Sequence, residues 1–493
     1  MKHPLIAGLG TLTATALLAA SLAVPAQAAA APVQLSIASF NDFHGNLTTS
    51  YTATKFAAAV QAWKAFNPDG SVLTSAGDSV GGSKYASSIQ GDLPTLQILN
   101  KLGVKASAAG NHEFDKGYPD LRDRISKAAD FPYLAANVTL KDGSPALPAS
   151  NVFEVKGVKV AIVGAVTSEL PTLVSPSGLS EVNVSDPVDA VNAEVAKLPA
   201  DVDVVIASYH EGASDPTSLE TAEQSSEFKK IVEKTAPRVN AIFTGHTHRE
   251  YSFTTGGVDG KRPVLEAFES GQRLASVDLS VNPDTRAVTI NGSRVSVVPQ
   301  DIDVTAAAAA DPTVSAVKGI EDAALAKAAE LGNGEAATIK ADLTTDYYPS
   351  AVGKAGGDRS QESVLGNFAA TALAGSVNAE DPSKVVGFMN AGGLRDEFFS
   401  RRTGRSATSD DKVAAGTVGR LSVKEVYDVF PFANTLSRLS VKGSSLKKVL
   451  EQQWRKDADG NEQKLALGTT ANLAYTFDLT RPVGDRITSV TVN

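Results

Sequence analysis

Gly110-Asn111-His112-Glu113-Phe114-Asp115 follows directly on Val104 to Ala109, a run of small and apolar residues that reads as a buried strand. A strand ending in a polar cluster delivers side chains to the carboxyl edge of a sheet, where α/β proteins build their sites. Gly110 permits a sharp exit. Asn111 brings an amide oxygen that can ligate a metal, and His112 a ring nitrogen and a proton. Asp115, three residues on, is close enough to orient His112 if the chain turns. Alone, the hexapeptide is equally readable as a polar turn with a helix cap.

The other histidines decide between these readings. There are six, and apart from His3 each sits just after a strand-like run. Val33 to Phe40 leads into Asn41-Asp42-Phe43-His44-Gly45, Val202 to Tyr209 into His210, and Asn240 to Thr244 into Gly245-His246-Thr247-His248. A further run, Val72 to Ala76, leads into Gly77-Asp78. Scattered surface histidines would not all choose strand ends.

From residue 33 to about 300 strand-like and helix-like runs alternate, which predicts an α/β domain. Strands are expected at 33–40, 71–76, 104–109, 158–166, 202–209, 240–244, 263–268 and 274–281, with 284–300 also β-like. Helices are expected over Ala53 to Ala65, Leu93 to Leu102, Asp186 to Lys197 and Ser225 to Thr235. Residues 303–334 are rich in alanine and charge and predict a linker helix. Asp311-Pro312 is its N-terminal signal and Gly332-Asn333-Gly334 its stop. A second α/β region follows over 336–493, and its last residues alternate as a strand.

Residues 1–28 have a basic start, an apolar run too short to favour a spanning helix, and Ala26-Gln27-Ala28, the small-x-small pattern of a secretory cleavage site. A signal peptide and a secreted, extracellular protein are expected. The chain has no cysteine, which excludes disulfides and lipoprotein anchoring. No later stretch reads as transmembrane. Lys plus Arg is 46 and Asp plus Glu 55, for a net charge of −9. Without a basic run, that balance argues against a polymeric nucleic-acid partner, though not against small phosphates. Nothing in the pattern sets an oligomeric state.

The ordered set is Asp42-x-His44, Asp78, Asn111-His112, His210 and His246-x-His248. Residues two apart at a strand end point the same way. Mixed imidazole and carboxylate ligands suit divalent first-row metals such as Zn²⁺ or Mn²⁺. The set is larger than one metal needs, but it fits two divalent ions sharing one carboxylate. Two metals about 3.5–4 Å apart clamp both oxygens of a phosphoryl displacement. His112 is then free for acid–base or electrostatic work, positioned by Asp115.

Asp-x-His, Gly-Asp, Gly-Asn-His-Glu-Phe-Asp and Gly-His-Thr-His, in this order, resemble the calcineurin-like metallophosphoesterases. Met389-Asn390-Ala391-Gly392-Gly393-Leu394-Arg395 and Pro431-Phe432-Ala433-Asn434 narrow the likeness to the secreted 5′-nucleotidase and UDP-sugar hydrolase family. The resemblance implies an αββα-sandwich metallophosphoesterase domain over 33–302, the linker helix, and a smaller α/β nucleotide-binding domain over 336–493. It implies that Asp42, His44, Asp78 and His248 hold the first metal. Asp78, Asn111, His210 and His246 would hold the second, with Asp78 bridging. His112 and Asp115 match the catalytic dyad. Asn390 and Arg395 match substrate-contacting positions, Gly392 and Gly393 would let the backbone approach, and Arg359 would match a further phosphate or ribose contact. Phe432 matches one of two aromatics that sandwich a base.

The second aromatic of that pattern is absent, so the smaller domain reads as incomplete. The chain is expected to continue beyond Asn493, with room for a surface-attachment segment there. The implied reaction is hydrolysis of nucleoside 5′-monophosphates by in-line attack of a water or hydroxide bridging the two metals. UDP-sugar diphosphatase and 2′,3′-cyclic-nucleotide phosphodiesterase activity are alternatives on the same centre. A non-catalytic secreted binding protein is the rival of another class; the filled ligand and dyad positions speak against it.

Overall fold

The structure is a computed structural model. It describes residues 31–48, 50–257, 260–345, 359–377, 379–400, 419–432, 436–456 and 462–493. The signal-peptide reading and Ala433 and Asn434 of the second C-terminal motif lie outside these residues.

Two six-stranded sheets dominate. The first runs, in spatial order, Val288–Val297, Arg273–Val281, Val33–Phe40, Ser71–Ser75, Val104–Ala108 and Tyr133–Leu134. The second runs Glu250–Thr254, Pro263–Ala267, Ala241–Thr244, Val204–His210, Val158–Val166 and Ser150–Val155. The inner four strands of the second sheet are mutually parallel, as are the last four of the first.

The apolar runs are continuous because these strands are buried on both faces. Along Val204–His210, Val204 and Ile206 face the other sheet, while Val205, Ala207 and Tyr209 face helices Pro187–Lys197 and Ser226–Lys234. Leu35 and Ile37 likewise meet that inter-sheet core, while Ala38 and Phe40 pack under helices Ala53–Lys64 and Leu93–Leu102. The result is four layers, helix–sheet–sheet–helix. Each fully buried Val, Leu or Ile in them contributes about 1.5–3 kcal/mol.

The expected strands and helices occur with ends shifted by at most two residues, except that the β-like stretch 284–300 narrows to Val288–Val297. Ser150–Val155 and Glu250–Thr254, half-exposed edge strands, and the two-residue Tyr133–Leu134 were not anticipated. The segment after 302 is two helices, Val304–Ala310 and Pro312–Gly332. Asp311 caps the second by accepting from the N–H groups of Thr313 and Val314. That helix packs Val314, Val317, Ala324 and Ala328 into the outer core of the first sheet. Its buried Glu321 accepts from the Thr54 hydroxyl and backbone N–H.

Beyond it, short strand pairs surround helices Val364–Gly375, Val423–Val429 and Gly443–Glu451, with two small cores. The alternating end forms strand Ile487–Val492, paired with Leu473–Phe477. Among the described residues no helix is long and apolar enough to cross a membrane.

Candidate metal centre and its cleft

The parallel strands carry the candidate residues to one edge. Asp42 and His44 follow Val33–Phe40, Asp78 follows Ser71–Ser75, and Asn111 and His112 follow Val104–Ala108. His210 closes Val204–His210, and His246 and His248 follow Ala241–Thr244. Convergence does not come from strand alternation, because the first and last of these strands end at Phe40 and Thr244. It comes from turns. Ten described non-glycine residues have positive φ, and five are Asp42, His44, Asp78, His246 and His248. Such backbone costs of order 1–3 kcal/mol per residue and persists where its surroundings over-determine it.

Gly110 is required by proximity: a Cβ there would lie 2.1 Å from Asp78 Oδ1. Gly77 adopts φ +98°, and a Cβ on it would meet the His210 ring at 2.5 Å.

Two groups of side chains could each hold a metal ion: Asp42, His44 and His248, and Asp78, His210 and His246. Asp78 lies between them, its Oδ2 3.1 Å from His210 Nε2 and 3.8 Å from His44 Nε2. Asn111 Oδ1 joins the second group, 3.1 Å from His210 Nε2. The ring orientations are fixed from behind. His210 Nδ1 donates to the Ala76 carbonyl at 2.8 Å and His44 Nδ1 to the Gly81 carbonyl at 2.9 Å. His248 Nδ1 meets Glu269 at 2.9 Å. All three Nε2 atoms are thereby turned inward, as in metal sites with ordered outer partners.

The carboxylates divide their oxygens in the same way. Asp42 Oδ2 accepts from Asn41 Nδ2 and the His246 N–H, and Asp78 Oδ1 from the His112 N–H. Asp42 Oδ1 is buried and makes no hydrogen bond of normal geometry, although His248 Nε2 is 3.2 Å away. A desolvated carboxylate oxygen left open amid inward imidazole nitrogens fits a divalent cation.

The charge balance agrees. Burial would lower His210, but Asp78 and Asp42 hold it up at about 10. His248 is likewise pulled down by burial and raised to about 10 by Asp42 and Glu269. His246 is pushed down to about 4 by burial and His210. Burial opposes ionisation of Asp78, but His210 and His112 hold it well below the usual carboxylate range.

His112 stands beside this cluster, its Nδ1 3.0 Å from both Asp115 oxygens. Asp115 Oδ2 also accepts from the Gly82 N–H. Burial lowers His112, yet Asp78 and Asp115 raise it to about 9. His44, His112 and His248 open onto a cleft of about 750 Å³ that Arg395, Tyr427 and Phe432 also line. Tyr427 spans it, donating to the Ser83 carbonyl. The Arg395 guanidinium lies over the Phe432 ring at 4.9 Å, and burial and Arg359 lower its pKa.

Asn390, Gly392, Gly393 and Arg359 do not line the cleft. Asn390 caps the turn Ala391–Gly393 by accepting from the Gly392 N–H, and the Arg359 carbonyl accepts from Ala466. Two residues at the centre escaped the sequence reading. Glu269 orients His248, and Glu266 holds the loop between the last histidines by accepting from the Thr247 hydroxyl and the Arg249 N–H. An acidic residue inside the apolar strand Val264-Leu265-Glu266-Ala267 is the visible signal.

Residues 35–250 match the family model described as calcineurin-like phosphoesterase, and residues 338–493 the one described as 5′-nucleotidase, C-terminal domain. The chain belongs to the family that joins these two domains. It is 26% identical to endonuclease YhcR of Bacillus subtilis (strain 168), over 85% of this chain but 33% of that protein. It is 25% identical to the 5′-nucleotidase of Bos taurus, over 94% of this chain and 79% of that protein. The chain thus spans only a third of the Bacillus protein's length. In fold it resembles the crystal structure of a 5′-nucleotidase precursor from Thermus thermophilus, with TM-score 0.63, 22% identity, and coverage of 93% of this chain and 85% of the other.

Proposed function

We propose that this chain is an exported, metal-dependent phosphomonoesterase that cleaves nucleoside 5′-monophosphates to nucleoside and phosphate. The observation that carries the reading is the position of Asp78, whose Oδ2 faces His210 and His44 and so links two groups of metal-ligand type. In this reading Asp42, His44, Asp78 and His248 hold one divalent cation, and Asp78, Asn111, His210 and His246 hold the other. Zn²⁺ and Mn²⁺ suit the donors. When bound, such a pair supplies a strong oxygen nucleophile at neutral pH and neutralises charge on the phosphoryl oxygens.

His112 holds a proton on Nε2, because Asp115 fixes the other ring nitrogen. It donates that hydrogen bond to the charge that develops on the reacting group. Arg395 meets the anionic end of the substrate, and Phe432 offers a face to the base. Asn390, Gly392, Gly393 and Arg359, on nearby turns, are assigned to the substrate side on the family pattern. Export rests on residues 1–28.

The test is hydrolysis, each with and without chelator and with products quantified by chromatography, of AMP to adenosine and phosphate, of UDP-glucose to UMP and glucose 1-phosphate, and of 2′,3′-cyclic AMP to the ring-opened monophosphate. The reading requires AMP to be the best of the three and chelation to abolish its turnover. A faster UDP-sugar or cyclic nucleotide overturns the substrate assignment. Indifference to chelator overturns the metal assignment. No turnover of any of them by metal-loaded protein indicates a binding protein instead.

A further inference from the structure

Glu113 lies in the same hexapeptide as Asn111 and His112 but belongs to neither the ligand groups nor the dyad. Its side chain is wholly buried. Oε2 accepts from the backbone N–H of Gly110 at 2.6 Å and of Asp78 at 2.9 Å. Oε1 accepts from the N–H of Ser79 at 2.8 Å and of Val80 at 3.2 Å. These four donors come from two loops that leave neighbouring parallel strands, Ser71–Ser75 and Val104–Ala108. Past the strand ends the sheet ladder no longer pairs these N–H groups, and buried donors must find other acceptors. One carboxylate serves all four.

We propose that Glu113 is a positioning residue that sets the spacing between Asp78 and the Asn111–His112 pair, and so shapes the second cation site. The inference rests on the metal assignment above. It is asymmetric by construction. The tie fixes Asp78 and the turn carrying Asn111, which both serve the second site, whereas Asp78 alone belongs to the first. The His112 N–H, held by Asp78 Oδ1 at 2.9 Å, moves with the same tie.

The carboxylate is specific to the task. Burial and Asp78 push the Glu113 carboxyl up to about 8, but backbone N–H donors occupy both oxygens and leave no acceptor for a carboxylic proton, so the acceptor-only ionised form is the one that serves all four. Glutamine keeps the length but turns two N–H groups toward its own NH₂. Aspartate keeps the charge but is one methylene too short to span both loops.

The test uses the full chain stripped of metal, as wild type, Glu113→Gln and Glu113→Asp. Each is titrated with Mn²⁺ to resolve the two sites, and amide hydrogen exchange is followed in the metal-free state. In Glu113→Gln the second site should weaken by about 10–100-fold, the usual effect of losing an outer-shell partner, and the first site by clearly less. Glu113→Asp should fall between. Exchange should accelerate at Asp78, Ser79, Val80 and Gly110 but not along Val204–His210. Equal weakening of both sites, or unchanged affinity and exchange, overturns the proposal. Should Glu113→Gln not fold, the wild-type exchange decides. The four amides must then be more protected than other loop amides, and equal protection overturns it. A wild type that binds fewer than two Mn²⁺ overturns the metal assignment instead, and the exchange comparison still decides for Glu113.

Discussion

His112 Nδ1 sits 3.0 Å from each oxygen of Asp115, three residues on along a single tight turn. The carboxylate fixes which ring nitrogen faces the cleft and favours the protonated ring. Neither residue belongs to the two metal-type groups. His112→Ala should therefore lower kcat by roughly 10²–10⁴, the range for a positioned acid–base group, with metal content unchanged. Asp115→Asn should act in the same direction and less. Kinetics and elemental analysis on the same preparations check this. A His112→Ala protein that loses metal and regains activity when metal is added would show that His112 is a ligand.

Protons and cations compete for the centre. In metal-free protein His210 and His248 are raised to about 10 and His112 to about 9, each against the downward pull of burial. A raised folded-state pKa gives stability that is fully present below the ordinary histidine value of about 6.5 and is lost as pH rises through the folded value. Metal-stripped protein should thus melt at progressively lower temperature from about pH 6.5 to 10. Cations must displace the protons on His210 and His248, so metal affinity should rise over the same window. Melting temperatures of stripped and loaded protein across that range should diverge. Parallel curves would contradict the assignment of these histidines as ligands.

Phe432 and Arg395 make a different prediction. Stacking a base on an aromatic is worth about 1–3 kcal/mol, roughly 5- to 150-fold in affinity. Phe432→Ala should raise KM for AMP within that range and leave p-nitrophenyl phosphate, which has no base, nearly unaffected. Arg395 now covers one face of the ring. Arg395→Ala should weaken both substrates if the guanidinium meets phosphate. Steady-state kinetics with the two esters tests both. An equal KM rise for both esters in Phe432→Ala would remove the base-stacking role.

Much of this centre is legible in the sequence because ligand chemistry restricts residue type, and parallel topology sends strand ends to one edge. The histidines and their aspartates could be read that way. The geometry that joins them could not. Asp42 and His44, or His246 and His248, look like alternating strand residues but lie in left-handed turns whose conformation is set by tertiary contacts. Glu269 is one of many surface-like acids until the fold lays it against His248. Glu113 was in plain view within the hexapeptide, yet its partners at Asp78, Ser79 and Val80 lie more than thirty residues away. Edge strands such as Ser150–Val155 carry mixed, half-exposed residues and so lack the apolar run that marked the inner strands.

The central claim is that Asp78 joins two cation sites into one hydrolytic centre. It is tested most directly by adding Mn²⁺ stepwise to metal-stripped wild type and Asp78→Ala, counting bound ions and phosphate released from AMP in the same samples. Wild type should bind two ions, with turnover appearing as the second is filled, while Asp78→Ala should bind fewer than two and release no phosphate above background. Two ions retained at full occupancy by Asp78→Ala, or full turnover by stripped wild type, would contradict the account.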